Sequence, residues 1–203
     1  VSRAFALQTP HLSAYALTIE ERTVFGKKYE RGLLSEAEED VVSRQFLHLH
    51  QHATSAGFDH YELSNYAKPG FESKHNSNYW KGIPYTGIGP AAHSYADGKR
   101  RWNVSNNPQY IKRVLNNEVF WEEEELTSRD RWNEYIMTGL RTKGGIEFSK
   151  LPSGFFREQK DYLQACVKEG NAELSQEAFQ LTPKGWLISD RIIASLFIDE
   201  DEN

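Results

Sequence analysis

The sequence predicts an α/β protein that ends in a smaller α+β unit of winged-helix character. Three observations carry this reading. Leu12–Ile19 is apolar and rich in β-formers, a helical run closed by Gly57 leads to a second strand, and the last seventy or so residues read as helix, helix, hairpin, helix. With 203 residues, the chain has the length for one large domain or two small ones and for a substantial core.

Leu12–Ile19 has the near-continuous apolar character of a strand buried on both faces of a parallel sheet. Ser35 with Glu38 makes a capping box, after which Val41, Val42, Phe46, Leu47 and Leu49 recur at helical spacing. Tyr61–Tyr66 alternates as a second strand, so this region reads as a βαβ unit with a right-handed crossover. Pro69-Gly70 opens an irregular segment, Tyr85–Ile88 reads as a third short strand, and Asp97-Gly98 is a tight turn into a hairpin through Arg101–Val104. The run Glu122–Glu125 reads as a solvated connector. Apolar periodicity weakens between about Asn107 and Thr127, which divides the chain into segments 1–107 and 108–203.

In the second segment, Thr127 or Ser128 caps a helix carrying Trp132, Tyr135, Ile136 and Leu140 and ending at Gly144-Gly145. Phe155–Val167 is the next helix, stopped by Gly170-Asn171. Ala172–Leu174 and Phe179–Thr182 form a hairpin, and Pro183 starts a final amphipathic helix with Trp186, Leu187, Ile192, Ile193, Leu196 and Phe197. Trp132, Trp186 and Phe197 are the expected aromatic anchors of this unit.

A formal net charge of -5, with no stripe of Lys and Arg, argues against nucleic acid as a partner and makes docking of protein the better reading of the winged-helix pattern. No apolar run is long enough for a transmembrane segment, and Val1–Phe5 is not followed by a signal-peptide core, so a cytoplasmic address is expected. The single cysteine, Cys166, excludes an internal disulfide framework and any iron–sulfur cluster held by several thiolates of this chain. With no cationic neighbour in sequence, it reads as a small buried hydrophobe.

The richest stretch chemically is His75-Asn76-Ser77-Asn78-Tyr79-Trp80, followed by Gly87-Ile88-Gly89-Pro90-Ala91-Ala92-His93-Ser94-Tyr95. Aromatic rings supply stacking area and a neutral imidazole can ligate a metal, a mixture suited to a flat apolar ligand with a metal centre. The same residues also suit an aromatic surface loop stapled by Asn side chains, and both readings stand on the residues alone. Gly87-x-Gly89-x-x-Ala92 fails as a dinucleotide fingerprint because Asp97-Gly98 turns the chain where a long helix is required, yet glycines at a strand exit still suit a pocket floor. His48-x-His50-x-His52 could hold a metal only with a third ligand, and reads as a solvated or half-buried helix face. Glu62 and Asn65 could face a ligand cavity or cap loop backbone.

The strings HLSAYALTIE, YELSNYAKPGFESKHNSNYW, YTGIGPAAHSY and LTPKGWLISDRI, in this order across nearly the whole chain, resemble the HemW family of heme chaperones, the oxygen-independent coproporphyrinogen III oxidase-like radical S-adenosylmethionine (SAM) proteins. The resemblance implies the C-terminal part of a radical SAM partial (β/α) barrel followed by the family's C-terminal domain. It also implies heme as a ligand, with SAM and a 4Fe-4S cluster in the full-length protein. The Cys-x-x-x-Cys-x-x-Cys loop that holds such a cluster is absent here. Carried over residue by residue, His75 becomes the candidate heme-iron ligand, with Asn76, Tyr79 and Trp80 shaping the heme site. Gly87, Gly89 and His93 become candidate SAM-pocket residues. The implied function is transfer of heme to apo-hemoproteins. The alternatives are oxidative decarboxylation of coproporphyrinogen III and a winged-helix protein-binding adaptor. Unpaired strand edges leave room for a homo-dimer.

Overall fold

The computed structural model describes residues 1–198. Its strands form three antiparallel three-stranded sheets. The first sheet is built from β1 (His11–Ser13), β2 (Asp59–Glu62) and β3 (Asn65–Ala67) in the order β1-β3-β2. Before it comes the one-turn helix α1 (Ser2–Phe5). Between β1 and β2 lie α2 (Val24–Glu30) and the long α3 (Glu39–Ser55).

Both β1 and β2 run antiparallel to β3, so they are parallel to each other with β3 inserted between them. The expected strand–helix–strand unit is therefore present, but its two strands are not neighbours. Tyr61–Tyr66 is not one strand, because the chain reverses at Leu63-Ser64 and returns as β3. The expected strand Leu12–Ile19 ends at Ser13, and Tyr15 and Leu17 are exposed. A strand extends only as far as its partner, and β3 begins at Asn65, opposite Ser13. The Ser35–Glu38 capping box also does not form. Helix α3 starts one residue after Glu38, without a side-chain cap, and relies on Glu39 and Asp40 in its first turn to complement the helix dipole.

The second sheet holds β4 (His93–Ala96), β5 (Lys99–Asn103) and β6 (Trp121–Glu125), with α5 (Asn107–Leu115) between β5 and β6. Asp97 and Gly98 both take positive φ, 53° and 73°, which matches the twist of the hairpin they close. The acidic run is a strand rather than a connector. Lys99, Arg100 and Arg101 stand opposite Glu125, Glu124 and Glu123, so cross-strand charge pairing compensates for the poor β-propensity of glutamate. Tyr85 contributes a single bridge to Tyr95 instead of starting a strand.

The HNSNYW run lies on a helix, α4 (Lys74–Trp80), and not in an irregular loop. Ser73, one residue before the helix and two before the run, caps it by accepting the Asn76 N–H at 3.2 Å.

The terminal unit begins with α6 (Ser128–Gly139), opened by a complete Thr127–Asp130 capping box. There follow β7 (Ile146–Glu147), a 3₁₀ turn, α7 (Phe155–Lys168), β8 (Ala172–Leu174), β9 (Ala178–Leu181), α8 (Pro183–Trp186) and α9 (Ser189–Ser195). Helix α6 stops well before Gly144-Gly145 because the chain folds back across it; a Cβ on Gly139 would lie 2.7 Å from Ile146 Cγ2. The expected final helix is two, separated at Ile188, whose backbone leaves helical values (φ -124°, ψ 23°). Ile136, Leu140, Ile146, Leu163, Phe179, Ile192 and Leu196 form the core, joined by Trp186 and by Cys166. Trp132 packs at the rim and Phe197 is partly exposed, so Trp186 is the one buried anchor of the three. No helix among the described residues is long and apolar enough to cross a membrane.

Candidate functional site

Helix α4 is tethered at its start. The Tyr61 hydroxyl on β2 accepts the Ser73 N–H at 3.2 Å and lies 2.9 Å from His11 Nε2 on β1, so the first sheet fixes where α4 begins. Burial pushes the Tyr61 phenol pKa up, which keeps it a neutral hydroxyl. Along α4, Asn76, Ser77 and Trp80 are half-buried, whereas Lys74, His75, Asn78 and Tyr79 face solvent. The His75 imidazole makes no hydrogen bond among the described residues and meets Tyr79 edge-on, 4.8 Å between ring centroids. Tyr79 in turn meets Tyr85 edge-on at 4.6 Å, and Tyr85 lies 6.3 Å from Tyr95. An imidazole with uncommitted nitrogens beside an exposed aromatic ring can ligate a metal held in a flat apolar ligand.

The glycine segment is a second, separately supported group. Gly87 N–H donates to Ser94 Oγ at 2.9 Å, and a Cβ at Gly87 would lie 2.7 Å from the His93 carbonyl carbon, so only glycine lets this segment lie against β4. Gly89 takes a φ of 103°, which L side chains rarely adopt. Buried Asn103 donates from Nδ2 to the Gly89 carbonyl at 2.9 Å and to that of Gly87 at 3.4 Å. His93 is exposed and lines a cleft of about 380 Å³ with Trp102, Asn103, Gln109, Arg113 and Glu122. The structure thus joins Gly87, Gly89 and His93 through Asn103 and β4. The link from this group to His75 runs through the rings of Tyr79, Tyr85 and Tyr95.

Glu62 and Asn65 are buried and spend their polar atoms locally. Asn65 Nδ2 donates to Glu62 Oε1, Ser13 Oγ donates to Asn65 Oδ1, and the Ser64 N–H reaches Glu62 Oε2 at 3.4 Å. Burial raises the Glu62 carboxyl pKa despite these donors. The histidine trio does not converge on a metal position. His48 and His52 lie with tilted rings 3.9 Å apart between centroids, while His50 Nδ1 lies 2.9 Å from Nδ1 of His60. No cluster of three or more potential ligands occurs among the described residues. Cys166 is buried in the terminal core with its thiol pKa pushed up, as expected of a small hydrophobe. One inert thiol does not fit a 4Fe-4S cluster.

The sequence assigns Tyr61, Tyr85, Tyr95 and Asn103 no role at the site, although the three tyrosines fall within the motif strings that carry the family resemblance. Each acts through partners about ten or more residues away, such as Tyr61 on Ser73 and Asn103 on Gly89, so the only local hint was a polar residue closing a strand.

Residues 126–188 match the family model of the HemN C-terminal domain. The chain is 31% identical over 204 residues to the heme chaperone HemW of Lactococcus lactis, covering 98% of this chain and 54% of the relative. It is 30% identical over 208 residues to that of Escherichia coli, covering 98% and 52%. A mitochondrial radical S-adenosyl methionine domain-containing protein 1 from Danio rerio is 39% identical over 83 residues, 41% of this chain and 19% of the relative. The chain spans about half the length of the HemW relatives it matches. Among solved structures, the radical SAM enzyme coproporphyrinogen III oxidase (HemN) from Escherichia coli superposes with a TM-score of 0.69 over 97% of this chain and 50% of that one, at 18% identity.

Proposed function

We propose that this chain, similar to HemW heme chaperones along nearly its whole length and with the α/β fold of the C-terminal part of a radical SAM barrel followed by a small winged-helix-like unit, is a member of the HemW family and carries the heme-binding surface of a heme chaperone. The observation that carries the reading is the outer face of α4, where the imidazole of His75 is exposed, free of hydrogen bonds among the described residues, and edge-on to Tyr79. His75 ligates the heme iron and Tyr79 gives the macrocycle an aromatic contact. Half-buried Asn76 and Trp80 set the pose of the helix. The heme is cargo, passed on to apo-hemoproteins in the cytoplasm.

Segment 1–107 is, on this reading, the barrel portion and 108–203 the terminal domain. Gly87, Gly89 and His93 edge the SAM pocket of the full-length protein. Asn103 already engages both glycine carbonyls, which leaves His93 and its cleft as the part able to touch a ligand. The cluster belongs to residues other than those of this chain, whose one thiol is buried.

Titration of hemin into His75→Ala tests the proposal. Loss of the low-spin Soret band with an unchanged far-UV circular dichroism spectrum is expected, while His48→Ala binds as the parent does. A low-spin spectrum that survives His75→Ala overturns the assignment and leaves α4 as a structural helix.

A further inference from the structure

The outer face of α4 carries more than an imidazole and a ring. At 3.6 residues per turn, Lys74 and Lys81, seven positions apart, fall on one flank of the exposed stripe that contains His75, Asn78 and Tyr79. Their backbone positions are about 10 Å apart along the helix axis. Both lysines are exposed, and neither ammonium has an ion-pair partner among the described residues. On the other side of the stripe Tyr79 exposes its ring, and just past the helix Ile83, also exposed, is tied to it by its N–H on the Asn78 carbonyl.

The charge of the surrounding chain sharpens the point. The protein holds 29 Asp and Glu among 203 residues and has a net charge of -5, yet the 24 residues from Ser73 to Ala96 include no carboxylate side chain. The nearest in sequence, Glu72, is turned to the Gly70 N–H at 3.3 Å. An otherwise acidic protein therefore presents here an uncompensated pair of cations, an open imidazole and an apolar rim in sequence across one face. The complementary ligand is a planar, apolar metal chelate with anionic groups along one edge.

We infer that Lys74 and Lys81 recognise the two carboxylates of heme, so that the α4 face selects a dicarboxylate metalloporphyrin and sets its orientation over His75. The inference rests on the heme-binding reading of α4. The apolar part of the macrocycle lies toward Tyr79 and Ile83, the iron over the imidazole, and the carboxylates toward the lysine flank.

Hemin and hemin dimethyl ester, which keep the same iron and macrocycle but differ in the two carboxylates, separate the contributions. In the 203-residue chain, Lys74→Glu/Lys81→Glu is expected to weaken hemin binding by about tenfold at low salt. The same variant should leave affinity for the diester within about twofold and the circular dichroism spectrum unchanged. Salt should weaken hemin binding to the parent and have little effect on the diester. Undiminished hemin affinity in the lysine variant, or equal losses for hemin and diester, overturns the carboxylate assignment. In either case His75→Ala reports separately on iron ligation, because it should remove the low-spin signature of both compounds.

Discussion

The imidazole of His60 on β2 stands edge-on against the indole of Trp186 on α8, with 4.4 Å between centroids, and stacks on its other side against Tyr66 at 3.9 Å. The first sheet and the terminal unit thus meet through a histidine sandwiched between aromatic rings. His60 Nε2 lies 3.2 Å from the Leu63 carbonyl, which places the proton on that nitrogen and leaves Nδ1 to accept from His50 Nδ1, 2.9 Å away.

Trp186 is 5% exposed and its Nε1–H donates to the Leu140 carbonyl at 3.0 Å. Trp186→Ala is expected to cost about 3 to 5 kcal/mol in urea denaturation, from lost packing and the cavity left behind. Trp186→Phe keeps much of the packing, loses the hydrogen bond, and should cost about 1 to 3 kcal/mol. A loss under about 1 kcal/mol for the alanine variant would contradict its place in the core.

Burial brings the His60 pKa down from about 6.5 to about 4. A proton therefore binds more readily to the unfolded chain, so the stability tied to neutral His60 is complete above pH 6.5 and drains away as pH falls from 6.5 toward 4. The full contribution is on the order of 3 kcal/mol. His50, also lowered by burial, shifts in the same direction. Urea midpoints measured at pH 7, 5.5 and 4.5 should fall steeply for the parent and less steeply for His60→Gln; parallel slopes would remove His60 as the cause.

At the glycine segment, Gly87→Ala forces a methyl group against the His93 backbone, and Asn103→Ala leaves the Gly87 and Gly89 carbonyls without their amide donor. Each is expected to lower stability by about 1 to 3 kcal/mol. The two losses should be less than additive, because both loosen the same contact between this segment and β4. Strict additivity in a double-mutant cycle would show that Asn103 supports something other than the Gly87 turn.

The terminal unit was legible because its signals are local. Thr127 reads as a cap, Phe155–Val167 as an amphipathic helix, Gly170 as a stop and Pro183 as a start, and each needs only neighbours within a few residues. The first half was not, because its elements depend on distant partners. Glu122–Glu125 becomes a strand only because Lys99–Arg101 lies beside it, and Leu12–Ile19 loses its strand character where β3 gives out. The HNSNYW run lacked a helix signal within itself, since its cap, Ser73, precedes it and its tether, Tyr61, is 12 residues before that cap. His75 drew attention by its chemistry and by family resemblance. The lysines flanking it mean nothing until the segment is known to be helical.

Beyond the aromatic contact, the Leu63 N–H bonds the Arg141 carbonyl, the Lys143 N–H bonds the Tyr61 carbonyl, and Lys143 Nζ reaches Asp59 at 2.6 Å across 84 positions of sequence. Closing a loop of that length costs roughly 4 kcal/mol of chain entropy, only a few tenths more than the 65-position closure between Asn133 and Ile198 within the terminal unit. During folding, this seam gains its bonds only after both sides exist, so it belongs to the late part of the reaction, when β2 and the turn after α6 are already shaped. Interactions that form late resist unfolding more than they speed folding. Loosening the seam between His60, Trp186 and the β2 edge is therefore expected to speed unfolding more than it slows folding.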